Sequence, residues 1–339
     1  MPDFLNRYVG IGKETGGYGV DPGSYTFGEV DSESMKDTFD VLVREDMSRP
    51  VAAKAVQGKE YSEGDINLAL QADDFVGKVL SGFFPQDVVT TDTVKVHTME
   101  EPPLGPYNTT TTYPSFTMVI GREGKSHKYT GLCANSLNIS ANVGEYVMMT
   151  AGFYGKSESA VGNLLTATFD QLSLNAMHFA GGQITFAGGS AVANIKSIDF
   201  SINLNGDMDN AYGIGSNTLA RAPPKQRREI TGTAEFNQVV YTATANEPTY
   251  TELIGGLDDG SSGSGTSAMT LKFVGDTANE YVQFDFYHLF WDAPDASVSG
   301  RDTNTMTAGF TGLFNPDAGE DNKAMRCTVK GASLQASPY

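Results

Sequence analysis

A short segment of this chain occurs twice, and this repeat constrains the fold more than any other feature of the sequence. Residues 149–155 read Met-Thr-Ala-Gly-Phe-Tyr-Gly, and residues 306–312 read Met-Thr-Ala-Gly-Phe-Thr-Gly. The two segments differ only at Tyr154 and Thr311. A long repeat period with only two copies is typical of tandem domains of similar fold, whereas a solenoid uses more and shorter repeats.

The segments around the two copies also follow a similar order. Apolar and polar residues alternate in several stretches of both halves, and a period of two is typical of a half-buried β-strand. The first half has the alternating positions Phe39, Val41 and Val43, then Ile66, Leu68 and Leu70, then Leu137 and Ile139. The second half has Ile198, Phe200, Ile202 and Leu204, then Ile230, Gly232, Ala234 and Phe236, then Val282, Phe284, Phe286 and Phe290. Both halves are therefore predicted to be mainly β.

Each half contains one predicted helix. In the first half, Asp73 and Asp74 are suited to a helix N-terminus, and Pro85 ends the helix. Its apolar stripe has helical spacing and consists of Phe75, Val76, Val79, Leu80, Phe83 and Phe84. In the second half, Asn246 can cap a helix and Pro248 suits its first turn. The apolar face of that second helix consists of Tyr250, Leu253, Ile254 and Leu257.

Mostly antiparallel strands with one helix per half predict a β-sandwich that carries a helix at its flank. The predicted domains comprise residues 1–160 and residues 161–339, with the join at 156–162, where polar residues interrupt the pattern. Surface loops are predicted at 100–115, which is rich in Pro and Thr, and at 258–267, which is rich in Gly and Ser.

The chain is acidic, with 41 Asp and Glu residues against 23 Lys and Arg residues and a formal net charge of -18. Tight binding of nucleic-acid phosphates needs clustered basic residues, so this composition argues against a dedicated DNA-binding domain. The sequence has no apolar run long enough for a spanning helix and begins without the pattern of a secretion signal. We therefore expect a protein that is made in a cytosol and has no membrane partner.

Sequence motifs for catalysis, cofactor binding or metal binding are not found. The sequence has no phosphate-binding glycine loop and no nucleophile elbow, and its four histidines lie far apart. The segment nearest to a calcium loop, residues 205–210, has Asn210 where the turn glycine belongs and is predicted to be a polar turn. Cys133 and Cys327 are predicted to be free thiols on strands. We expect no catalytic site, no cofactor and no metal.

Two basic segments that contain proline interrupt this acidic chain, and both are predicted to be loops. They run from Arg49 to Glu60 and from Arg221 to Glu229. Two interpretations are open: the loops are solvated, or they are arms that reach an acidic neighbouring copy in a head-to-tail stack. On the second interpretation, the candidate contact residues are Arg49, Lys54, Lys59, Arg221, Lys225, Arg227 and Arg228.

Several stretches in this order are similar to one known family. They are residues 16–20, Arg49-Pro50 with residues 54–59, residues 66–70, residues 132–140 and residues 195–203. Their order resembles the tail tube proteins of long-tailed phages and tailed archaeal viruses, in the form with two tube domains in one chain. The resemblance covers most of the chain and rests on pattern and order.

The resemblance implies two tandem tube-type β-sandwich domains, each with a flanking α-helix, whose strands join those of neighbours into a ring-shaped β-barrel. Family rings contain six tube domains, so a chain with two of them implies a homotrimeric ring with pseudo-sixfold symmetry. Such rings stack into a virion tail tube that is assembled in the host cytoplasm and meets other tail proteins. Viral DNA passes through the lumen at ejection without specific binding.

Two other classes of function remain open from the sequence. One is a different virion role, such as a tail terminator, a baseplate component or a decoration protein. The other is a carbohydrate-binding β-sandwich, which usually displays aromatic side chains on one exposed face. Trp291, the only tryptophan, adjoins an apolar strand and is predicted to lie in the core or in an interface.

Overall fold

The structure is a computed structural model. It describes residues 7–45, 47–48, 50–52, 54–91, 94–101, 113–169, 176–186, 189–192, 194–242, 249–250, 253, 268–296, 304–314 and 323–339. Arg49, most of the second predicted helix and most of the two predicted surface loops lie outside these residues.

The described residues form nineteen β-strands and one α-helix. The strands of the first half are β1 (Tyr8–Lys13), β2 (Thr26–Gly28), β3 (Ser32–Glu33), β4 (Lys36–Arg44), β5 (Lys54–Ala69), β6 (Gln86–Thr91), β7 (Lys95–Glu100), β8 (Phe116–Arg122), β9 (Lys125–Asn142), β10 (Met148–Gly155) and β11 (Ser157–Gly162). Those of the second half are β12 (Gly182–Phe186), β13 (Ile195–Asn203), β14 (Glu229–Phe236), β15 (Met269–Val274), β16 (Tyr281–Phe286), β17 (Leu289–Trp291), β18 (Met306–Gly312) and β19 (Met325–Gly331). The helix α1 (Asp74–Ser81) lies between β5 and β6.

One sheet contains strands from both halves, and we call it the shared sheet. Its strand order is β17-β18-β14-β13-β9-β10-β5, and both β3 and β4 pair with the outer side of β5. Every pairing in it is antiparallel. The two halves of the chain meet in the middle of this sheet, where β9 pairs with β13.

Two further sheets cover one side of the shared sheet. The first cover sheet has the order β2-β1-β8-β9-β11, and the second has the order β12-β15-β16-β19-β7-β6. The long strand β9 takes part in both the first cover sheet and the shared sheet, and Gly131, with φ of +66°, lies at the change between them. Glycine adopts this left-handed conformation without the cost that a Cβ imposes.

The core lies between the shared sheet and the cover sheets, as the period-two pattern predicts. Phe200 of β13 packs edge-on against Phe284 and Phe286 of β16, with ring centroids 5.0 and 5.2 Å apart. Trp291 of β17 packs against Phe310 of β18 at 5.1 Å and is buried, so of its two predicted places, core or interface, it occupies the core. Each such aromatic side chain contributes about 2 kcal/mol when it is removed from water.

The pattern of strand pairing occurs twice in the chain. The first half pairs in the order β1-β8-β9-β11 and, on the shared sheet, β9-β10-β5-β4. The second half pairs in the order β12-β15-β16-β19 and, on the shared sheet, β17-β18-β14-β13. The repeated heptapeptide forms β10 and β18, which occupy the same place in the two patterns.

The glycines opposite the repeated segments agree with this correspondence. Gly64 lies opposite Phe153, and Gly232 lies opposite Phe310. A Cβ on Gly64 would come within 2.6 Å of the Met35 backbone, and one on Gly232 would come within 2.5 Å of the Asp199 carbonyl oxygen. Both halves therefore need glycine where an adjacent strand passes close by.

Helix α1 forms where the sequence predicts it, but it ends at Ser81 with Gly82 as the C-cap, before Pro85. Asp73 is the N-cap, and its side chain accepts a hydrogen bond of 2.7 Å from the backbone N–H of Val76. The predicted apolar stripe is buried from Phe75 to Phe84. The helix contacts β1 and β2, so it flanks the first cover sheet.

Residues 334–339 dock against the first half of the chain. The Tyr339 ring stacks on His97 with centroids 4.2 Å apart, and its hydroxyl donates to Asp74 at the start of α1 at 3.0 Å. His97 is completely buried, and Nδ1 lies 2.9 Å from the Asp87 carboxylate while Nε2 lies 2.9 Å from the Gln335 carbonyl oxygen. Because both ring nitrogens face acceptors, only the protonated imidazolium can donate to both.

Two local predictions are wrong. Phe39, Val41 and Val43 do lie on a strand, β4, but they are exposed rather than half-buried. Lys54 and Lys59 lie on β5 rather than in a loop.

Other predictions are confirmed or stay open. The second basic segment is irregular up to Arg228, as predicted, and Cys133 and Cys327 are buried free thiols on β9 and β19. Residues 157–162, at the predicted join, form β11 and pair with β9. The division into domains at residues 160 and 161 stays a prediction, since the shared sheet and the second cover sheet both contain strands from both halves.

We expect His97 to make stability depend on pH. Burial disfavours the charged ring, but the hydrogen bonds to Asp87 and Gln335 outweigh this effect and raise the pKa of His97 above its ordinary value. A raised folded-state pKa stabilises the protein fully below the unfolded value of about 6.5 and loses that contribution as pH rises through the folded value. Urea unfolding from pH 6 upwards is therefore expected to show a free energy of unfolding that falls more steeply in the wild type than in His97→Gln. Equal pH dependence in both proteins would contradict this.

Candidate assembly interface

The pairing of β9 with β13 shows how the two halves of the chain join. The register places Ile202 opposite Leu137 and Phe200 opposite Ile139, and all four side chains are buried. Just past β13, the backbone N–H of Leu204 donates a hydrogen bond of 2.8 Å to the Asn135 carbonyl oxygen. We call this pairing the internal junction.

A lysine from the second half contacts residues of the first half at the internal junction. Lys225 Nζ donates to the hydroxyl of Tyr154 at 2.6 Å and to the Ala134 carbonyl oxygen, and it lies 4.6 Å from the centre of the Tyr154 ring. Burial disfavours its charge and lowers the pKa of Lys225 to about 8. Gly206 allows this contact, because a Cβ there would overlap with Tyr154. Lys225 therefore joins the two halves of one chain.

One outer edge of the shared sheet is apolar and exposed. β4 pairs with β5 on one side only, and the exposed fractions of Phe39, Val41 and Leu42 are 57%, 56% and 59%. Val56, across the hairpin on β5, is exposed as well. Among the described residues, no strand pairs with the other side of β4. An unpaired strand edge with apolar side chains is a template for pairing with another chain.

The opposite outer edge is formed by β17 and the segment that follows it. Beyond Trp291, the Asp292 N–H donates to the Gly309 carbonyl oxygen at 2.9 Å. Asp295 and Thr307 then exchange two backbone hydrogen bonds of 2.8 Å. Residues 292–296 thus continue the edge alongside β18, and within the described part of the chain their other side pairs with no strand.

The face of the shared sheet that points away from the core is polar. Its positions alternate with the buried ones along each strand and are Glu63, Asp65, Asn67, Ser136, Asn138, Ser140, Met148, Thr150, Gly152, Ser197, Asp199, Ser201, Asn203, Glu229, Thr231, Thr233, Glu235, Thr307, Gly309 and Thr311. Five of these are carboxylates, and Lys36 of β4, which lies opposite Glu63 and 3.2 Å from its carboxylate, is a basic residue on the same face. We call this the polar face. Burial beside neutral neighbours raises the pKa of Asp199.

The basic candidate residues fall into two groups in the structure. Lys59, Arg221 and Arg227 are exposed; Lys59 pairs with Asp209 at 2.6 Å, and Arg221 donates to the Asn210 carbonyl oxygen at 2.8 Å. Lys54, at the start of β5, is also exposed.

Lys225 and Arg228 instead make contacts within the chain. The Arg228 side chain is only 10% exposed, pairs with Glu101 and lies 4.7 Å from the centre of the Phe84 ring. Arg49 lies outside the described residues. Whether any of these residues contacts another copy stays a prediction.

The predicted polar turn at residues 205–210 has its carboxylates engaged. Asp207 accepts from the Asn210 backbone N–H at 3.2 Å, and Asp209 pairs with Lys59. The described residues include no group of three or more His, Cys, Asp or Glu side chains that could hold a metal ion. None of the described helices has the length and hydrophobicity needed to cross a membrane.

In the described part of the chain, the shared sheet has two outer edges that pair with no strand, and such edges can pair with further copies of the same chain. A family model for phage tail tube proteins matches residues 5–312, so the chain belongs to the phage tail tube protein family and is a structural protein of a viral tail. Proteins of this family are structural components and not enzymes. No curated protein matches the chain.

The two groups of basic residues are expected to respond differently to charge reversal. Arg228→Glu removes a largely buried ion pair and places a second carboxylate beside Glu101, which is expected to lower the free energy of unfolding by about 3 kcal/mol. Arg227→Glu changes an exposed side chain and is expected to alter it by less than about 0.5 kcal/mol. Urea denaturation of unassembled protein measures both. Equal losses in the two variants would contradict the difference in burial.

Proposed function

We propose that three copies of this chain form a closed ring with pseudo-sixfold symmetry, and that stacked rings form the tail tube through which viral DNA passes. The observation that carries this proposal is the pairing pattern that occurs twice, with one junction made inside the chain and two outer edges that pair with no strand among the described residues. Each copy supplies two similar tandem units, and the pairing of outer edges between copies closes the sheet. Ring closure leaves no edge exposed.

The polar face of the shared sheet is the surface that lines the lumen in this proposal. The cover sheets pack on the other side of the shared sheet, so they lie outside the barrel. Hydroxyls, amides and the carboxylates of Glu63, Asp65, Asp199, Glu229 and Glu235 then surround the DNA. Because duplex DNA carries about one negative charge per 1.7 Å of axis, a lining in which the carboxylates outnumber Lys36, itself paired with Glu63, repels the phosphates and lets the duplex slide.

In the proposed tube, the contacts between stacked rings are made by surfaces other than the paired strand edges. The hairpin of β4 and β5 has exposed apolar side chains on both faces near its tip, including Val41, Leu42 and Val56. A hairpin that is apolar on both faces needs more than one neighbour to cover it. We assign one face to the adjacent copy in the ring and the other to the next ring, where the exposed basic residues Lys54, Lys59, Arg221 and Arg227 meet its acidic surface.

The purified protein is expected to form hollow stacked rings with threefold symmetry, because each open edge finds its partner only on another copy. Negative-stain electron microscopy with sedimentation analysis measures this directly. Single rings that never stack would indicate a tail terminator instead. A monomer that persists over a wide range of concentration and salt would overturn the ring.

Reversal of charge on the polar face is expected to make the tube retain DNA. In Asp65→Lys/Asp199→Lys, two further lysines per chain face the lumen and attract phosphates, so tubes assembled with a linear duplex should co-sediment with it at low salt and release it at high salt. Wild-type tubes should sediment without the duplex at both salt concentrations.

A matched control separates lumen charge from total charge. Glu123→Lys/Asp276→Lys makes the same charge change at exposed turns of the two cover sheets, so its tubes should retain no more DNA than the wild type. Equal retention by the control and by the polar-face variant would show that the polar face does not line the lumen.

A further inference from the structure

The internal junction defines the contact between copies at residue level, and this inference rests on the proposed ring. The outer edge formed by β3 and β4 corresponds to β13. Tyr154 and Thr311 occupy the same place in the repeat, and they pair with Glu63 and Thr231 on the neighbouring strands. Those two residues in turn pair with Lys36 and Ser201. Lys36 in the first half therefore corresponds to Ser201 in the second.

The short strand β3 confirms this register. Thr150 and Thr307 correspond in the repeat, and they pair with Asn67 and Glu235, which pair with Ser32 and Ser197. The same shift thus relates Ser32 to Ser197 and Lys36 to Ser201. It also relates Met35 to Phe200, and both of these side chains are buried in the core. In the single copy, the Met35 N–H donates to Glu33 at 3.0 Å and its carbonyl oxygen accepts from Arg122 at 2.6 Å, so pairing between copies replaces these side-chain contacts.

The outer edge formed by β17 and residues 292–296 corresponds to β9. Tyr154 pairs with Cys133 and Thr311 pairs with Phe290, so Cys133 corresponds to Phe290. Thr150 pairs with Asn138, and Thr307 forms a bridge with Asp295, so Asn138 corresponds to Asp295. One shift satisfies both pairs, and the segment 292–296 therefore stands where residues 135–139 of β9 stand in the first half.

We infer that β3 and the first residues of β4 from one copy pair antiparallel with residues 292–296 of the next copy, in the register that places Lys36 opposite Asp295. At the internal junction, Ser201 lies opposite Asn138, and these are the residues to which Lys36 and Asp295 correspond. The internal junction therefore has the uncharged pair Ser201 and Asn138 at this position, and the junction between copies has the oppositely charged pair Lys36 and Asp295. Opposite charges across adjacent strands favour pairing, and like charges oppose it.

The same register accounts for the exposed Phe39. Phe39 corresponds to Leu204, which is buried at the internal junction and donates its backbone N–H to Asn135. Between copies, the Phe39 N–H then donates to the Asp292 carbonyl oxygen, and its ring is covered. A slip by one residue would turn Lys36 and Phe39 to the opposite faces, so the buried face fixes the register.

Charge reversal tests this pairing. Lys36→Glu and Asp295→Lys are each expected to reduce ring formation at least tenfold at low salt, because each places like charges opposite each other. The double variant Lys36→Glu/Asp295→Lys restores the attraction and should recover rings to near wild-type yield. Lys36 also pairs with Glu63 of its own copy at 3.2 Å, and Lys36→Glu breaks that pair as well. Lys196→Glu is the control, because it breaks a similarly exposed pair with Glu235 inside the chain. This control variant should form rings as the wild type does.

Disulfide formation gives a second readout that does not depend on charge. Roughly seven strand spacings of about 4.8 Å separate Lys36 from Asp295 within one copy, so a disulfide between them must join two copies. Lys36→Cys/Asp295→Cys is expected to give covalent dimers and trimers on a non-reducing gel after mild oxidation. Cys133 and Cys327 are buried and should not compete. Lys36→Cys/Ala293→Cys tests a slip by two residues and should stay monomeric on the gel.

The outcomes separate the two proposals. If wild-type rings form but the double charge reversal fails to recover them and only the Ala293 pair cross-links, the register is wrong while the ring stands. If the wild type forms no rings, the proposed function fails with it. Recovery together with a cross-link at Asp295 supports both.

Discussion

The backbone hydrogen bonds at the edges of the shared sheet govern the behaviour of this protein. Each strand offers N–H and carbonyl groups on two sides, and an edge strand leaves one side unpaired. Inside the chain, β9 would be such an edge if β13 did not pair with it. β4 and the segment after β17 hold the corresponding positions at the two ends of the sheet and have no strand beside them in the described part of the chain. The proposed ring satisfies these groups with the same geometry that the chain already uses once.

The two faces of the shared sheet carry different constraints. The face that points toward the core packs Phe200, Phe310 and their neighbours against the cover sheets, and its residues are large and apolar. The polar face carries small hydroxyl and amide side chains with scattered carboxylates, and it does not pack against the core. Period-two alternation is enough to produce both faces from one strand. In the proposed tube, the apolar face stabilises each copy, and the polar face, on which carboxylates outnumber basic side chains, does not hold DNA.

Local features of the sequence predicted the strands and helix α1 well, because these depend on short-range periodicity and on a cap such as Asp73. Burial was harder to predict. Phe39 and Val41 alternate as Ile198 and Phe200 do, yet they are exposed in the single chain, because burial at an edge depends on which strand lies beside it. Lys225 shows the same limit. Its position in a basic loop indicated a surface residue, but the cage formed by Tyr154 and the Ala134 carbonyl exists only after distant strands pair.

The pairing of β7 with β19 could not be predicted for a related reason. The two strands lie at opposite ends of the chain, and no period or cap in either one specifies its partner. The sequence likewise indicates charged loops as the interface, because clustered charge is visible in a sequence, whereas an unpaired backbone edge is not. The residues that matter most for the proposed ring, Lys36 and residues 292–296, carry no motif of their own, and only the internal junction identifies them.

The single difference between the two repeated segments fits this division between junctions inside and between copies. Tyr154 lies at the internal junction, where it meets Gly206 and Lys225, and the equivalent Thr311 lies beside the outer edge. The covalent chain keeps the two halves of the internal junction at high effective concentration. The bulky Tyr154 ring and the largely enclosed Lys225 can therefore stabilise this junction as the chain folds. The junction between copies must instead form by encounter, with both edges exposed to water beforehand. A small residue such as Thr311 and an exposed pair of opposite charges suit that step, because neither requires a buried charge before the partner arrives.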